Sequence, residues 1–314
     1  MSEENQKPEV SVIVPCYNYG HLLSETLESL IMQTLSNWEC IVIDDGSTDD
    51  TKHVAAHYAK QDNRFRYIYQ DNEGLSSARN TGILSARGDF IQLLDADDFI
   101  AENKLLNQIN LLKLHTEISI VYSEVRYFKT ENPDKHFYSL NEGSEPWIKA
   151  YSTHEAFCTA LMQNNLFAVN CALFRKEIIS NCGLFNTKLK SVEDWEFWVR
   201  CSLQHKLFLF DEEIDSIALV RIHGSSMSQN LKRMHEASLL ARKGLRNIIH
   251  DCPLKFRKKL SEINAQQIAY LNRKLYEDFN EKNRVTRLKL LFSGYPLRSE
   301  WRHVAKEIFR IIGA

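Results

Sequence analysis

Phe90-Ile91-Gln92-Leu93-Leu94-Asp95-Ala96-Asp97-Asp98 is the stretch whose reading decides the fold. The run 90–94 is short and mostly apolar, so it reads as a buried strand. The acids then emerge at its C-terminal end, where open α/β sheets bind their ligands. Carboxylates on alternate residues, Asp95 and Asp97, can hold Mg²⁺ or Mn²⁺ and leave positions open for phosphate oxygens. Acids after a strand are also common as solvated loop or as the cap of the next helix, expected here over 102–115. The stretch therefore needs support from the rest of the chain.

That support comes from the alternation around it. Strand-like runs at 10–16, 38–44, 66–70 and 118–125 are separated by helix-like stretches: Leu22, Leu23, Leu27, Leu30 and Ile31 at helical spacing, then 51–60 and 75–86. This pattern is the signature of a mostly parallel sheet with right-handed crossovers. Residues 129–150 are polar, with Pro133, Gly143 and Pro146, and read as a surface loop or lid. Apolar runs return at 166–174 and 207–220 with a helix over 192–203 between them. The segment 231–314 has almost no strand signal and reads as three or four helices, broken near Cys252-Pro253 and Ser293–Pro296. The expected organisation is an α/β unit over 1–230 followed by a basic helical region over 231–314.

Other strand ends carry residues suited to ligands. After Val10–Val14 come Pro15-Cys16-Tyr17-Asn18, where Tyr17 can stack on a base. Asp44-Asp45-Gly46-Ser47 reads as a turn and helix cap, or as a carboxylate accepting from a ring N–H. Residues 72–82 are too spread out for a dinucleotide fingerprint, and the chain has no Gly-x-x-x-x-Gly-Lys-Ser/Thr loop. Arg79 within them is either a surface residue or an anion contact. Glu193-Asp194-Trp195-Glu196-Phe197-Trp198 opens a helix whose acids suit the positive end of the dipole and whose tryptophans suit core or sugar platform. His223, in Arg221-Ile222-His223, is either a structural histidine or a ligand.

In order and spacing, Pro15–Asn18, Asp44–Asp49, Asn72–Gly82 and Asp95–Asp98 closely resemble the motifs of the family 2 glycosyltransferases, over about residues 9–228. The resemblance implies the GT-A fold and inverting transfer of a hexosyl or N-acetylhexosaminyl group from a nucleotide sugar. It implies donor contacts from Pro15, Tyr17, Asp45, Arg79 and Asp95, with Asp45 on a uracil or thymine ring, hence a UDP-sugar. It implies a Mn²⁺ or Mg²⁺ ion held by Asp97, with His223 on the metal or diphosphate. Asp194 is the implied general base, and Glu193 and Trp195 contact the acceptor or support the loop. The implied acceptor is a glycan or lipid-linked hydroxyl in polysaccharide or cell-surface glycan synthesis. The Gln-x-x-Arg-Trp motif of processive relatives is absent, so one sugar per binding event is expected. A sugar nucleotidyltransferase would carry a glycine-rich basic loop after the first strand, where Asn18-Tyr19-Gly20-His21 has one glycine and no Lys or Arg. A non-catalytic nucleotide-sugar-binding module would not need both the Asp-x-Asp and the Glu-Asp pairs.

With 44% hydrophobic and 25% charged residues the chain reads as soluble and globular. Its polar first residues and the lack of any eighteen-residue apolar run argue against a leader or a spanning helix. Seven cysteines without a Cys-x-x-Cys pair suggest reduced core thiols and the cytoplasm. The net charge of −2 conceals a basic tail, since residues 241–314 carry seventeen Lys and Arg against seven Asp and Glu. Apolar residues at helical spacing among these charges suit helices packed on the α/β unit with their charges in water or, especially over 285–312, peripheral contact with the anionic inner face of a membrane. No nucleic-acid motif accompanies the charge, so that partner is not expected.

Overall fold

The computed structural model describes residues 7–223 and 231–278, together with Val304 and Glu307. Val10–Cys16 (β1) and Trp38–Asp45 (β2) are buried at every position, which is why they read as continuous apolar runs. They pair in parallel near one side of a seven-stranded sheet ordered β10-β6-β9-β4-β1-β2-β3. The other members are β3 (Phe65–Gln70), β4 (Phe90–Leu93), β6 (Ile118–Tyr122), β9 (Ala172–Arg175) and β10 (Leu207–Phe210). Among these, β9 alone runs antiparallel, wedged between β4 and β6.

Side-chain alternation sends the strands' residues to two cores. Val10, Val12 and Val14 of β1 meet α1 (Gly20–Ile31), α2 (Thr51–Gln61) and α4 (Lys104–Leu114) on one face. Ile13, Ile41, Ile91 and Leu93 meet α3 (Leu75–Ser85), α5 (His154–Gln163) and α7 (Glu193–Leu203) on the other. Gly82 is required by this packing, because a Cβ there would lie 2.1 Å from Ile13 Cγ2. Short α6 (Ile179–Cys182) leads toward α7. All seven cysteines are buried and unbridged.

A second sheet, ordered β5-β11-β7-β8, is built from Phe99–Ile100 (β5), Val125–Lys129 (β7), Asn132–Phe137 (β8) and Ala218–Ile222 (β11). It corrects three expectations. The run 118–125 splits at Ser123-Glu124 into strands of different sheets. The run 207–220 splits likewise, and the polar 129–150 segment contributes β8 as a hairpin on β7. Helix α5, capped by Thr153 Oγ1 accepting the Ala156 N–H at 3.1 Å, has no counterpart in the sequence reading. For the two split runs the pairing partners are remote in sequence, so no local period announces the break.

Helices α8 (Leu231–Asp251) and α9 (Arg257–Asp278) extend the same core. Ile249, Leu254 and Leu260 are buried in the cluster that contains Phe157 and Trp195, with Ile248, Phe256 and Ile263 packed against it. The apolar face of this part of the tail is therefore used in packing. Apart from buried Val304 and Glu307, the 285–312 stretch expected to contact membrane lies outside the described residues. No described helix is long and apolar enough to cross a membrane.

Gln92, the polar interruption in the deciding strand, is matched from α4 by Lys104, whose side chain is fully buried. Lys104 Nζ donates to Gln92 Oε1 at 2.9 Å, Gln108 Oε1 at 2.6 Å and the Cys171 carbonyl at 3.2 Å. Burial lowers its pKa to about 7. The unfolded lysine titrates near ~10.4, so between these values the unfolded chain binds more protons and stability rises with pH. Relative to Lys104→Met, the wild type should gain about 2–4 kcal/mol from pH 7 to pH 10. Urea denaturation of both proteins at the two pH values reads this, and parallel stabilities would show that burial does not lower the Lys104 pKa.

Candidate active site

The acids after β4 are held from two directions. Asn170, ahead of β9, accepts the Asp95 N–H at 3.1 Å and donates to Asp98 Oδ2 at 2.5 Å. Arg221 of β11 donates its N–H to Asp98 Oδ1 at 2.8 Å. Its guanidinium reaches the Asp97 carbonyl at 2.9 Å and Glu25 at 2.9 Å, and lies 5.0 and 4.7 Å from the ring centroids of the stacked pair Phe99 and Phe128. Asp98 is thus a buried structural acid, and burial, then Asp97 and Asp95, push its carboxyl well above the usual range. Asp95 and Asp97 remain partly open.

Asp97 Oδ2 lies 2.7 Å from His223 Nε2, and each side chain is 18% exposed. Burial and the neighbouring charge of Asp95 raise the Asp97 pKa, while His223 works against them. Among the described residues no group of three or more His, Cys, Asp or Glu forms a metal cage. A carboxylate and an imidazole, both partly exposed beyond the strand ends, nevertheless suit a hard cation that would leave further positions open to a ligand's phosphate oxygens. A cation there also compensates the crowded Asp95–Asp97 charges.

Arg79 joins this cluster to the head of α7. Only 2% exposed, it donates Nη2 to Asp95 Oδ1 at 2.8 Å and Nη1 to Glu193 Oε1 at 2.5 Å. Val192, just before Glu193, has φ +56° and ψ 20°, a left-handed conformation that is strained for a β-branched residue. Packing around Val192 holds this bend, and it directs the Glu193–Asp194 pair into the first turn of α7. Asp194 Oδ2 accepts from Asn165 Nδ2 at 3.0 Å and Oδ1 from the Trp195 N–H at 2.7 Å. Protein surrounds this carboxylate but leaves it partly solvent-accessible; burial, then Glu193, push its pKa up to about 6. A partly exposed carboxylate tuned toward neutrality can accept a proton from a hydroxyl.

The structure thus brings Asp95, Asp97, His223, Arg79, Glu193 and Asp194 to one end of the sheet. Other expected site residues are engaged within the protein itself. Asp45 is 3% exposed and its oxygens accept from Gln70 Nε2 at 2.6 Å and from the N–H groups of Glu73 and Gly74 at 3.0 and 2.8 Å. It ties the 70–74 loop to β2. Arg79 is likewise paired with carboxylates. Trp195, 3% exposed with Nε1 donating to the Leu161 carbonyl at 2.7 Å and Arg242 over its ring at 4.4 Å, is core and no acceptor platform. Pro15 is buried in β1, whereas Tyr17 is 49% exposed. The roles of Asn165, Asn170 and Arg221 enter the site unannounced, since an isolated polar residue with a remote partner carries no periodic signal.

Residues 11–183 match the family described as Glycosyl transferase family 2. An uncharacterized glycosyltransferase of Rickettsia bellii (strain RML369-C) is 34% identical over 221 residues, which cover 69% of this chain and 29% of that protein. The uncharacterized glycosyltransferase EpsJ of Bacillus subtilis (strain 168) is 50% identical over 243 residues, covering 74% of this chain and 69% of EpsJ. The chain spans about a third of the length of three Rickettsia relatives that it matches. Among solved structures, S. aureus TarS 1-349 in complex with UDP-GlcNAc superposes with a TM-score of 0.66 at 17% identity, over 96% of this chain and 89% of that one. The mannosyltransferase PcManGT from Pyrobaculum calidifontis, in complex with GDP-Man and Mn²⁺, gives 0.59 at 17% identity, over 98% and 85%. At these identities the likeness is one of fold, the GT-A α/β architecture with helices after it. The match over 11–183 and the identity to EpsJ together show that the chain belongs to glycosyl transferase family 2.

Proposed function

We propose that this protein transfers one sugar from a UDP-sugar, with inversion, to a hydroxyl of a glycan or lipid-linked acceptor in polysaccharide or cell-surface glycan synthesis. The observation that carries the reading is the Asp95–Arg79–Glu193 bridge, which joins the strand-end acids to the carboxylate pair at the head of α7. A nucleotide-sugar donor is supported by the relatives of the same fold that bind UDP-GlcNAc or GDP-Man. A position at the inner membrane face, with residues 285–312 on anionic lipid, belongs to the same reading and rests on the sequence pattern there.

In this reading Tyr17, exposed beyond β1, stacks on the base. Asp97 and His223 hold a Mn²⁺ or Mg²⁺ ion, which when bound supplies compensation for charge developing on the leaving diphosphate. Asp194 accepts the proton of the acceptor hydroxyl, the freed oxygen bonds to the anomeric carbon from the opposite face, and the bond to the nucleoside diphosphate breaks. No covalent enzyme intermediate is required. Glu193, fixed by Arg79, keeps the negative field beside Asp194 that raises its basicity.

Asp97→Ala tests the donor assignment, since removing a ligand leaves the diphosphate and Asp95 less compensated. Calorimetry with UDP should show Mn²⁺-dependent binding in the wild type and at least a tenfold weakening in the variant, by the 10–100-fold losses typical when a metal site is damaged (about 1.4–2.7 kcal/mol). Equal metal-dependent affinity in the two proteins would remove Asp97 from the site.

A further inference from the structure

Resting on the transferase reading, we propose that Lys104 is a positioning residue for the cation site. Through Gln92 and Asn170 it fixes the Asp95–Asp98 turn that carries the strand-end acids. Lys104 opens α4, and its side chain, like those of Gln92, Gln108 and Asn170, is buried.

The relay has a fixed direction. An ammonium offers three N–H donors and no acceptor, and Lys104 Nζ aims them at three neutral oxygens, Gln92 Oε1, Gln108 Oε1 and the Cys171 carbonyl. A glutamine amide that faces an ammonium must present its oxygen, so its nitrogen is turned the other way. Gln92 Nε2 accordingly donates to the Asn170 carbonyl at 2.9 Å and the Leu93 carbonyl at 2.6 Å. Gln108 Nε2 donates to the Cys171 carbonyl at 3.1 Å. These bonds hold the helical turn Val169–Cys171. From that turn the Asn170 side chain accepts the Asp95 N–H and donates to Asp98 Oδ2, while the Asp98 N–H closes on the Asp95 carbonyl at 3.1 Å. Asp97 thus lies between two residues held by one asparagine, whose own backbone is held by the two glutamines.

The chemistry of this network separates positioning from packing. An ammonium buried against neutral oxygens costs more than an apolar side chain of similar size, and the charge of Asp211 offsets only part of that cost. An apolar side chain would fill the same space. It would also leave the Gln92 amide free to turn over, and the Val169–Cys171 turn would lose its fixed bond to β4. The amine therefore supplies direction to the bonds that reach the acids.

Hydrogen exchange of the metal-free full chain, read by mass spectrometry, tests the relay apart from any ligand. In Lys104→Met the amides of 95–98 should exchange about fivefold faster or more, while those of 10–16 in β1 keep the wild-type rate. A lysine that only stabilises the fold would move both segments together through global opening, or neither. Gln92→Glu keeps an oxygen for Lys104 and lacks the nitrogen that reaches Asn170, so it should reproduce the local acceleration even if Lys104→Met does not fold. In each folded variant, calorimetry with UDP should show Mn²⁺-dependent affinity about tenfold weaker, the lower end of the 10–100-fold losses typical of groups behind a metal's ligands. Unchanged exchange at 95–98, or faster exchange with unchanged Mn²⁺-dependent affinity, overturns the proposal. Mn²⁺-independent UDP binding by the wild type would instead overturn the donor assignment, and exchange at 95–98 would still decide whether Lys104 holds the turn.

Discussion

Asp194→Asn is expected to lower kcat by about 10²–10⁴-fold while leaving UDP-sugar affinity within a few-fold of wild type. The amide preserves shape and can keep the contact with Asn165, but it cannot take the acceptor's proton. The pH dependence gives an independent sign. With the free carboxyl titrating near 6, the active form is deprotonated, so kcat/KM for the acceptor falls tenfold per unit as pH drops below about 6. That acid limb should vanish from the residual rate of the variant. Near-normal turnover in Asp194→Asn would move the base elsewhere, and an unchanged limb would assign the titration to another group.

Arg79→Met is the largest expected loss of stability. The substitution strands Glu193, which is 7% exposed at its side chain, and Asp95, which is 32% exposed and can turn partly to water. Breaking a buried pair by removing one partner costs roughly 3–5 kcal/mol, and the partial exposure of Asp95 places this case toward the lower end. The melting temperature should fall by about 2–4 °C for each kcal/mol. Removing the stranded charge as well, in Arg79→Met/Glu193→Gln, should recover part of the loss. A loss below about 1 kcal/mol would mean that the bridge is not formed in solution.

The differing fates of Asp45, Asp97 and Asp194 show where sequence reading stops. All three sit in motifs legible along the chain, and each motif does reach the same end of the sheet. Direction of the side chain is another matter. Asp45 turns toward Gly74 and Gln70 because the loop after β3 brings unpaired N–H groups to it, and a buried carboxylate takes the donors nearest at hand. Asp98 is consumed by Asn170 and Arg221, which come from 72 and 123 residues away. Asp97 keeps an open face beside His223, and Asp194 one beside Asn165.

The sequence by itself determined the α/β alternation, the strands β1 to β4, the helix that opens at Glu193 and the clustering of ligand-type residues at strand ends. These follow from burial at fixed period, a local property that neighbouring residues record. Tertiary structure alone decided the antiparallel insertion of β9, the second sheet, the docking of α8 on α7 and of α9 on α5, and the Arg79 bridge between residues 114 positions apart. Such contacts depend on which distant groups satisfy a buried polar atom or close an apolar face, and that choice leaves no period in the chain.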